Sequence, residues 1–211
     1  MNAQTRHFRL QGPAGELQCA ADEPAQPGSS TPAGLALVCH PHPLHGGTMD
    51  NKVVQTLARA FVHLGWRSVR FNFRGVGSSE GRWDEGRGEV DDAWAVVQAL
   101  REPAQPLALA GFSFGAYVAS QVAARLQGAE AAQRVVLVGP AVQNFPVASV
   151  PQDSLIIHGE ADEVVSLSSV LDWARPQALP VTVVPGTGHF FHGQLPLLKS
   201  LVLRAGGPPP V

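Results

Sequence analysis

The segment 107–117, LALAGFSFGAY, places a serine between two glycines directly after an apolar run. Its centre, GFSFG, matches the pattern G-x-S-x-G, in which a nucleophilic serine occupies a sharp turn between a strand and a helix. Gly111 and Gly115 carry no side chains that would collide with so tight a turn, and the start of the helix offers free backbone N–H groups to a developing negative charge. The segment therefore predicts a strand, a turn carrying the nucleophile Ser113, and a helix whose first N–H, that of Phe114, is an oxyanion donor.

The rest of the chain alternates between strand-like and helix-like segments. Short apolar runs such as LALVCH, RSVRFNF, RVVLVGP and SLIIHGE are separated by amphipathic segments, which predicts an α/β fold with a mostly parallel sheet and helices on both faces. HFRLQG and ELQCAA, separated by PAG, predict an antiparallel hairpin at the N-terminus. We expect about eight strands and about five or six helices in one domain over residues 1–205, followed by a disordered tail at 206–211.

The composition fits one compact domain and excludes some partners. The chain has 211 residues, of which 45% are hydrophobic, and its formal net charge is −2. It therefore lacks the basic field that attracts nucleic acid or an anionic membrane. No apolar run has the length of a secretory leader or a membrane span, and Cys19 and Cys39 lie in strand-like sequence. We expect reduced, buried thiols and a cytoplasmic protein, while the sequence leaves open whether it is a monomer or a homodimer.

Two later segments contain the residue types that activate a serine. A serine hydroxyl becomes an effective nucleophile beside a basic histidine, which in turn is oriented by a carboxylate. SLIIHGEADEVV places three acids after a strand-like run: Glu160, Asp162 and Glu163. VTVVPGTGHFFHG places two histidines after the last strand-like run: His189 and His192. Because the carboxyl ends of parallel strands meet at one edge of the sheet, we expect one acid and one histidine to lie beside Ser113.

These segments together resemble a known family. GFSFG, HGEADEVV and PGTGHFF resemble the nucleophile, acid and histidine segments of the α/β-hydrolase superfamily. CHPHPLHGGTMDNKVVQTLARAF, VRFNFRGVGSSEG and DEGRGEVDDAWAVV resemble a small bacterial subgroup of lidless serine hydrolases distantly related to dienelactone hydrolase. The resemblance covers roughly Phe8 to Leu203. It implies an α/β-hydrolase fold without a lid domain, Ser113 as nucleophile, Asp162 as acid, His189 as base, and no cofactor.

The resemblance also limits what can be inferred. Dienelactone hydrolase has a cysteine where this chain has Ser113, so lactone hydrolysis is not implied. Glu160 is the weaker acid candidate because it lies closer to the strand end, and Glu163 is more typical of a surface or loop-capping residue. His192 competes with His189, but His189 comes first after the turn, as in the superfamily.

The segment CHPHPLHGG, residues 39–47, supports two different predictions. Its three histidines, His40, His42 and His45, have the close spacing of a zinc site. In the α/β-hydrolase fold, however, the loop after the third strand supplies the second oxyanion donor from a backbone N–H. Proline has no N–H, which leaves His42 and Leu44 as donors near the strand end. Related proteins use a residue just beyond the strand's terminal histidine, so we favour His42.

Two other features have simple structural interpretations. We expect Arg74, in the loop RGVGSSEG, to pair with a carboxylate beneath the site, and Asp91 and Asp92 to complement the start of a helix rather than bind metal. The segment 143–153, QNFPVASVPQD, is too short to form a lid, so the site should be open.

The leading functional prediction is a serine hydrolase that cleaves small or exposed carboxylic esters, or thioesters, of a small-molecule acyl substrate through an acyl-enzyme. One alternative is a catalytically inactive member of the fold that serves as a binding protein. A second is a metal-dependent hydrolase that uses His40, His42 and His45. The leading prediction requires neither cofactor nor metal, and the sequence does not identify the substrate.

Overall fold

The sheet has the predicted number of strands, and its strands run in the predicted relative directions. The computed structural model describes residues 5–24 and 32–206. Within them lie eight strands: β1 (Arg6–Gly12), β2 (Gly15–Asp22), β3 (Leu35–Cys39), β4 (Arg67–Phe71), β5 (Leu107–Phe112), β6 (Arg134–Val138), β7 (Leu155–Gly159) and β8 (Val181–Val184). They form one sheet in the order β1-β2-β4-β3-β5-β6-β7-β8. β1 pairs with β2, and β2 with β4, in antiparallel fashion, and all other neighbours are parallel. The hairpin and the mostly parallel sheet are therefore confirmed.

The described part of the chain contains five α-helices, four between strands and one after the last strand: α1 (Lys52–His63), α2 (Arg87–Leu100), α3 (Phe114–Arg125), α4 (Leu167–Ala174) and α5 (Leu195–Ala205). α1 begins where the side chain of Asn51 accepts hydrogen bonds from the N–H groups of Val53 and Val54, as an N-cap does. α2 begins at Arg87. The reason is that Glu89 accepts hydrogen bonds from the N–H groups of Asp84 and Gly86, so its carboxylate caps the helix from the third position.

Both faces of the strands β3 to β7 are buried, which explains why these strands are nearly continuous apolar runs. Alternate residues of β5 point to opposite sides. Leu107 and Leu109 pack with α2, α3 and α4, whereas Ala108, Ala110 and Phe112 pack with α1 and α5. β5 lies at the centre of the sheet, so the serine that follows it is held between two cores.

Several other expectations can be compared with the described residues. Cys19 and Cys39 are buried and not joined by a disulfide, as predicted, and burial raises the pKa of the Cys19 thiol to about 12. No helix in the described ranges has the length and hydrophobicity needed to cross a membrane. The connection between β6 and β7 contains no helix, so no lid is inserted there. The predicted tail falls almost entirely outside the described residues, which end at Gly206.

Candidate active site

Ser113 occupies a strained turn between β5 and α3. Its backbone has φ 56° and ψ −117°, a conformation that residues other than glycine rarely adopt, and only 8% of its surface is exposed. Its N–H donates to the carbonyl oxygen of Val138 at 2.9 Å, which anchors the turn to β6. A side chain at Gly111 would collide with the backbone of Gly115, and one at Gly115 would collide with that of Cys39. The two glycines are therefore required by the close approach of the backbone segments.

Asp162 and His189 meet above the ends of β7 and β8. Nδ1 of His189 lies 2.7 Å from Oδ2 of Asp162, and both residues are buried. Oδ1 of Asp162 accepts hydrogen bonds from the N–H groups of Val164 and Val165 at 2.9 and 2.8 Å. Burial acts to raise the pKa of Asp162, but the hydrogen bonds from His189, Val165 and Val164 together hold it below its ordinary value. The carboxylate therefore stays ionised at neutral pH and faces Nδ1 of the imidazole.

The other candidates for the acid and the base, which are Glu160, Glu163 and His192, lie in different surroundings from Asp162 and His189. Oε2 of Glu160 accepts a hydrogen bond from the N–H of Gly186 at 2.8 Å. Glu163 is exposed, and its carboxylate has no partner among residues 5–24 and 32–206. His192 is exposed and stacks on Phe190 with ring centroids 5.8 Å apart. Only the pair of Asp162 and His189 is thus brought together.

The ring of His189 lies beside the turn that carries the serine. It packs against Phe112, the residue before Ser113, with ring centroids 4.9 Å apart. In the described part of the molecule the Ser113 hydroxyl makes no hydrogen bond. Hydrogen bonds between catalytic groups commonly form or tighten only when substrate is present, so a Ser113 hydroxyl without a partner is compatible with proton transfer to His189 in the substrate complex.

Two backbone N–H groups near Ser113 are available to an anion. The N–H of Phe114 is the first of α3, and like the N–H of His42 it has no partner within the described ranges. The N–H of Leu44, by contrast, donates to Nδ1 of His42 at 3.2 Å. Because this bond already uses the N–H of Leu44, it favours His42 over Leu44 as the second oxyanion donor.

The three loop histidines make separate contacts. His40 is fully buried, with Nδ1 2.7 Å from the carbonyl oxygen of Pro41, and its Nε2 accepts a hydrogen bond from the N–H of Phe73 at 3.1 Å. His42 and His45 stack on each other with ring centroids 4.4 Å apart. Among the described residues, no three histidine, cysteine or acidic side chains are arranged to hold a metal ion. The zinc prediction thus has no geometric support.

An aromatic cluster lies against the histidine loop. The His42 ring contacts those of Trp83, Phe114 and Phe145, with centroid distances of 4.6, 5.3 and 5.7 Å. Phe145 comes from the connection between β6 and β7, more than a hundred residues away in the chain. No local sequence pattern predicts the role of Phe145, because only the folded structure brings its ring into contact with that of His42.

Two buried histidines make stability depend on pH. Burial lowers the pKa of His40 from 6.5 to about 3, against the opposing effect of its bond to Pro41, and burial also lowers the pKa of His158. Between pH 6.5 and 3 the unfolded chain binds protons that the folded protein excludes, so stability decreases as the pH falls. We expect the free energy of unfolding to drop by about 2–3 kcal/mol from His40 alone between pH 6.5 and 4.5, as urea denaturation would measure. His40→Asn should reduce this slope. A stability that is constant from pH 7.5 to 4.5 would contradict the expectation.

Arg74 forms the predicted ion pair beneath the site. Its Nε and Nη2 donate to the two carboxylate oxygens of Asp92 at 3.0 and 2.8 Å, and its backbone N–H donates to Oδ2 at 3.0 Å. Asp92 is fully buried, and the guanidinium fills the space that a side chain at Gly88 would need. This pair fixes α2 against the loop after β4, which carries Trp83.

Breaking this pair should destabilise the protein strongly. Asp92→Asn leaves the guanidinium of Arg74 buried without its counter-charge, which we expect to cost about 3–5 kcal/mol of unfolding free energy. The neighbouring Asp91 pairs with Arg125 at 2.8 Å, but both side chains are about half exposed. Asp91→Asn is therefore a matched control with an expected cost of less than about 1 kcal/mol. Equal losses of unfolding free energy in the two variants, measured by chemical denaturation, would refute the role of Asp92 as the buried counter-charge of Arg74.

Comparisons with known proteins agree with this geometry. Residues 42–152 match the family described as serine aminopeptidase, S33. An uncharacterized protein of Rickettsia prowazekii (strain Madrid E) is 33% identical over 196 residues, which cover 85% of this chain and 79% of that protein. An α/β serine hydrolase without a lid from Xanthomonas campestris is 39% identical, with a TM-score of 0.86 over 100% of this chain and 99% of the other. An α/β serine hydrolase homologue from Coxiella burnetii is 40% identical, with a TM-score of 0.82 over 94% of this chain and 96% of the other.

The family match covers more than half of the chain, and the two solved structures share its fold over almost their full length. The serine turn after β5 fits both solved structures, which are described as serine hydrolases, and the absence of a helix between β6 and β7 fits the one described as lacking a lid. The chain therefore belongs to the α/β-hydrolase superfamily, as a serine hydrolase of its lidless group.

Proposed function

We propose that the protein is a carboxylesterase-like enzyme that cleaves small or exposed carboxylic esters, or thioesters, through an acyl-enzyme. Ser113 is the nucleophile, His189 the general base and acid, and Asp162 the carboxylate that orients His189. The main observation in favour is the 2.7 Å contact between His189 and Asp162, beside a serine held at φ 56°. Nucleophile, base and orienting acid are the three roles that acyl transfer requires.

In the acylation step, Oγ of Ser113 forms a bond to the acyl carbon while Nε2 of His189 takes the hydroxyl proton. The electron pair of the carbonyl double bond moves to oxygen, and the N–H groups of Phe114 and His42 stabilise the resulting oxyanion. When the carbonyl re-forms, the bond to the alcohol or thiol breaks, and the leaving group takes the proton from Nε2. The product is released and the acyl group remains on Ser113.

Deacylation repeats these steps with water. His189 removes a proton from a water molecule, whose oxygen attacks the acyl carbon, and then returns that proton to Oγ of Ser113 as the acid leaves. In both half-reactions the imidazolium is stabilised by Asp162, which is ionised at neutral pH because hydrogen bonds keep its pKa low.

The surface around the site favours apolar acyl or leaving groups. The three most exposed large apolar side chains of the described residues are Leu44, Val164 and Phe190, at 65%, 56% and 47%. Each lies within two residues of a proposed site residue: His42, Asp162 or His189. A substrate that covers these side chains gains the free energy of removing apolar surface from water. We propose a small-molecule acyl substrate and a cytoplasmic location, without a nucleic-acid or membrane partner.

A fluorophosphonate probe separates this function from a non-catalytic binding role. The proposal requires covalent labelling of the purified protein at Ser113 and hydrolysis of p-nitrophenyl esters in the presence of a metal chelator. A panel of acyl esters of graded length, with thioesters and lactones, would then define the substrate. Lack of both labelling and hydrolysis would support the binding-protein alternative, and loss of hydrolysis with chelator would support the metal-dependent one.

A further inference from the structure

His40 makes two hydrogen bonds with backbone groups, and one of them involves the peptide unit that carries the proposed oxyanion donor. Its Nδ1 contacts the carbonyl oxygen of Pro41, and the same peptide unit continues into the N–H of His42. We infer that His40 is a positioning residue that aims the His42 N–H into the oxyanion hole by holding the Pro41 carbonyl. This inference rests on the proposed function, because it assigns His40 a role in that same reaction.

The hydrogen-bond network determines which ring nitrogen of His40 carries the proton. The N–H of Phe73 donates to Nε2 at 3.1 Å, so Nε2 acts as an acceptor and carries no proton. The single proton of the neutral ring is then on Nδ1, which donates to the Pro41 carbonyl at 2.7 Å. Burial lowers the pKa of His40 to about 3, so the ring keeps this neutral form throughout the pH range in which the enzyme would work.

Because the peptide bond is planar, the hydrogen bond between His40 and the Pro41 carbonyl also sets the direction of the His42 N–H. In a trans peptide the C=O and N–H point in opposite directions within one plane. A ring that holds the carbonyl oxygen of Pro41 on one side therefore directs the N–H of His42 to the other. That N–H has no partner among residues 5–24 and 32–206, as an oxyanion donor without substrate should.

The next peptide unit is held independently. The carbonyl oxygen of His42 accepts hydrogen bonds from the N–H groups of His45 and Gly47 at 3.1 and 3.0 Å. Gly47 has no space for a side chain, because the Pro41 carbonyl passes directly over it. The loop thus fixes the peptide unit after His42 by itself, whereas the side chain of His40 holds the unit before it.

The orientation of this N–H matters most in the transition state. Charge on the substrate oxygen develops only as Ser113 attacks, so a tilted N–H weakens the transition state more than the bound substrate. Removing an entire oxyanion donor lowers kcat by about 10²–10³-fold. Losing its alignment should therefore lower kcat by about 10–100-fold with little change in KM.

Two substitutions of His40 separate its two hydrogen bonds. In His40→Asn, the side-chain amide NH₂ lies near the position of Nδ1 and retains the bond to Pro41, but the acceptor for Phe73 is lost. In His40→Gln, the amide oxygen reaches the position of Nε2 and retains the bond from Phe73, but the donor to Pro41 is lost. We expect His40→Gln to lose about 10–100-fold in kcat and His40→Asn to stay within about threefold of wild type.

A second measurement uses a trifluoromethyl ketone, whose adduct with Ser113 places an oxyanion in the hole. His40→Gln should weaken its binding by about the same factor as kcat. Ser120→Ala is the stability control, because the Ser120 side chain is fully buried and hydrogen-bonded to the backbone of Tyr117 and Ala148. It should lower thermal stability without changing kcat.

The possible outcomes separate this inference from the proposed function. Equal losses in the two His40 variants, no loss in either, or a loss confined to KM would each overturn the role of His40 while wild-type activity stands. Absence of ester hydrolysis and fluorophosphonate labelling in the wild type would instead refute the proposed function.

Discussion

Ser113→Ala is expected to lower the kcat/KM for p-nitrophenyl acetate or butyrate by about 10⁴-fold or more. The methyl group cannot attack the acyl carbon, so no acyl-enzyme forms, and only the oxyanion donors and substrate binding remain to assist water. Steady-state hydrolysis and fluorophosphonate labelling would both measure this loss. The fold should survive, since the N–H that anchors residue 113 to Val138 belongs to the backbone.

Ser154 provides the matched control. It is also a buried serine, but it lies just before β7, at the end of the sheet opposite to the site. Ser154→Ala should be labelled and should hydrolyse esters like the wild type. If Ser113→Ala retained activity or labelling while Ser154→Ala lost them, the assignment of the nucleophile would be wrong.

Asp162→Asn is expected to lower kcat by about 10³–10⁴-fold. The carboxylate of Asp162 accepts the proton of Nδ1, which leaves Nε2 of His189 free to act as a base. An amide at this position can instead donate to Nδ1, which places the imidazole proton on Nε2 and prevents it from deprotonating Ser113. The negative charge that stabilises the imidazolium is also lost. Measurement of kcat at several pH values would show this loss across the whole neutral range.

Two neighbouring acids test whether this effect is specific. Glu160→Gln and Glu163→Gln remove the other carboxylates of the same loop, and neither residue contacts His189. Each should change kcat by less than about threefold, because an exposed charge near the surface is strongly screened by water. A loss in Glu160→Gln as large as that expected for Asp162→Asn would transfer the role of the acid to Glu160.

The sequence by itself determined the class of fold and the chemistry to look for. Alternating apolar and amphipathic segments reflect which faces are buried, and this property depends on local periodicity. The sharp turn around Ser113 likewise requires small residues at fixed offsets, so five consecutive residues are enough to predict it. The parallel sheet, the hairpin and the absence of a lid could be predicted for this reason.

Only the tertiary structure showed which candidate of each residue type makes the contacts that the chemistry requires. Sequence order left Glu160, Asp162 and Glu163 as acids, but the contact with His189 is made by Asp162, which lies 27 positions away in the chain. Similarly, the N–H of Leu44 remained a candidate until its bond to the His42 ring was seen, and His40 gained its proposed role only from Pro41 and Phe73. Such choices depend on distances and directions between loops, fixed when the strand ends pack side by side. Residue type and spacing carry no information on those directions.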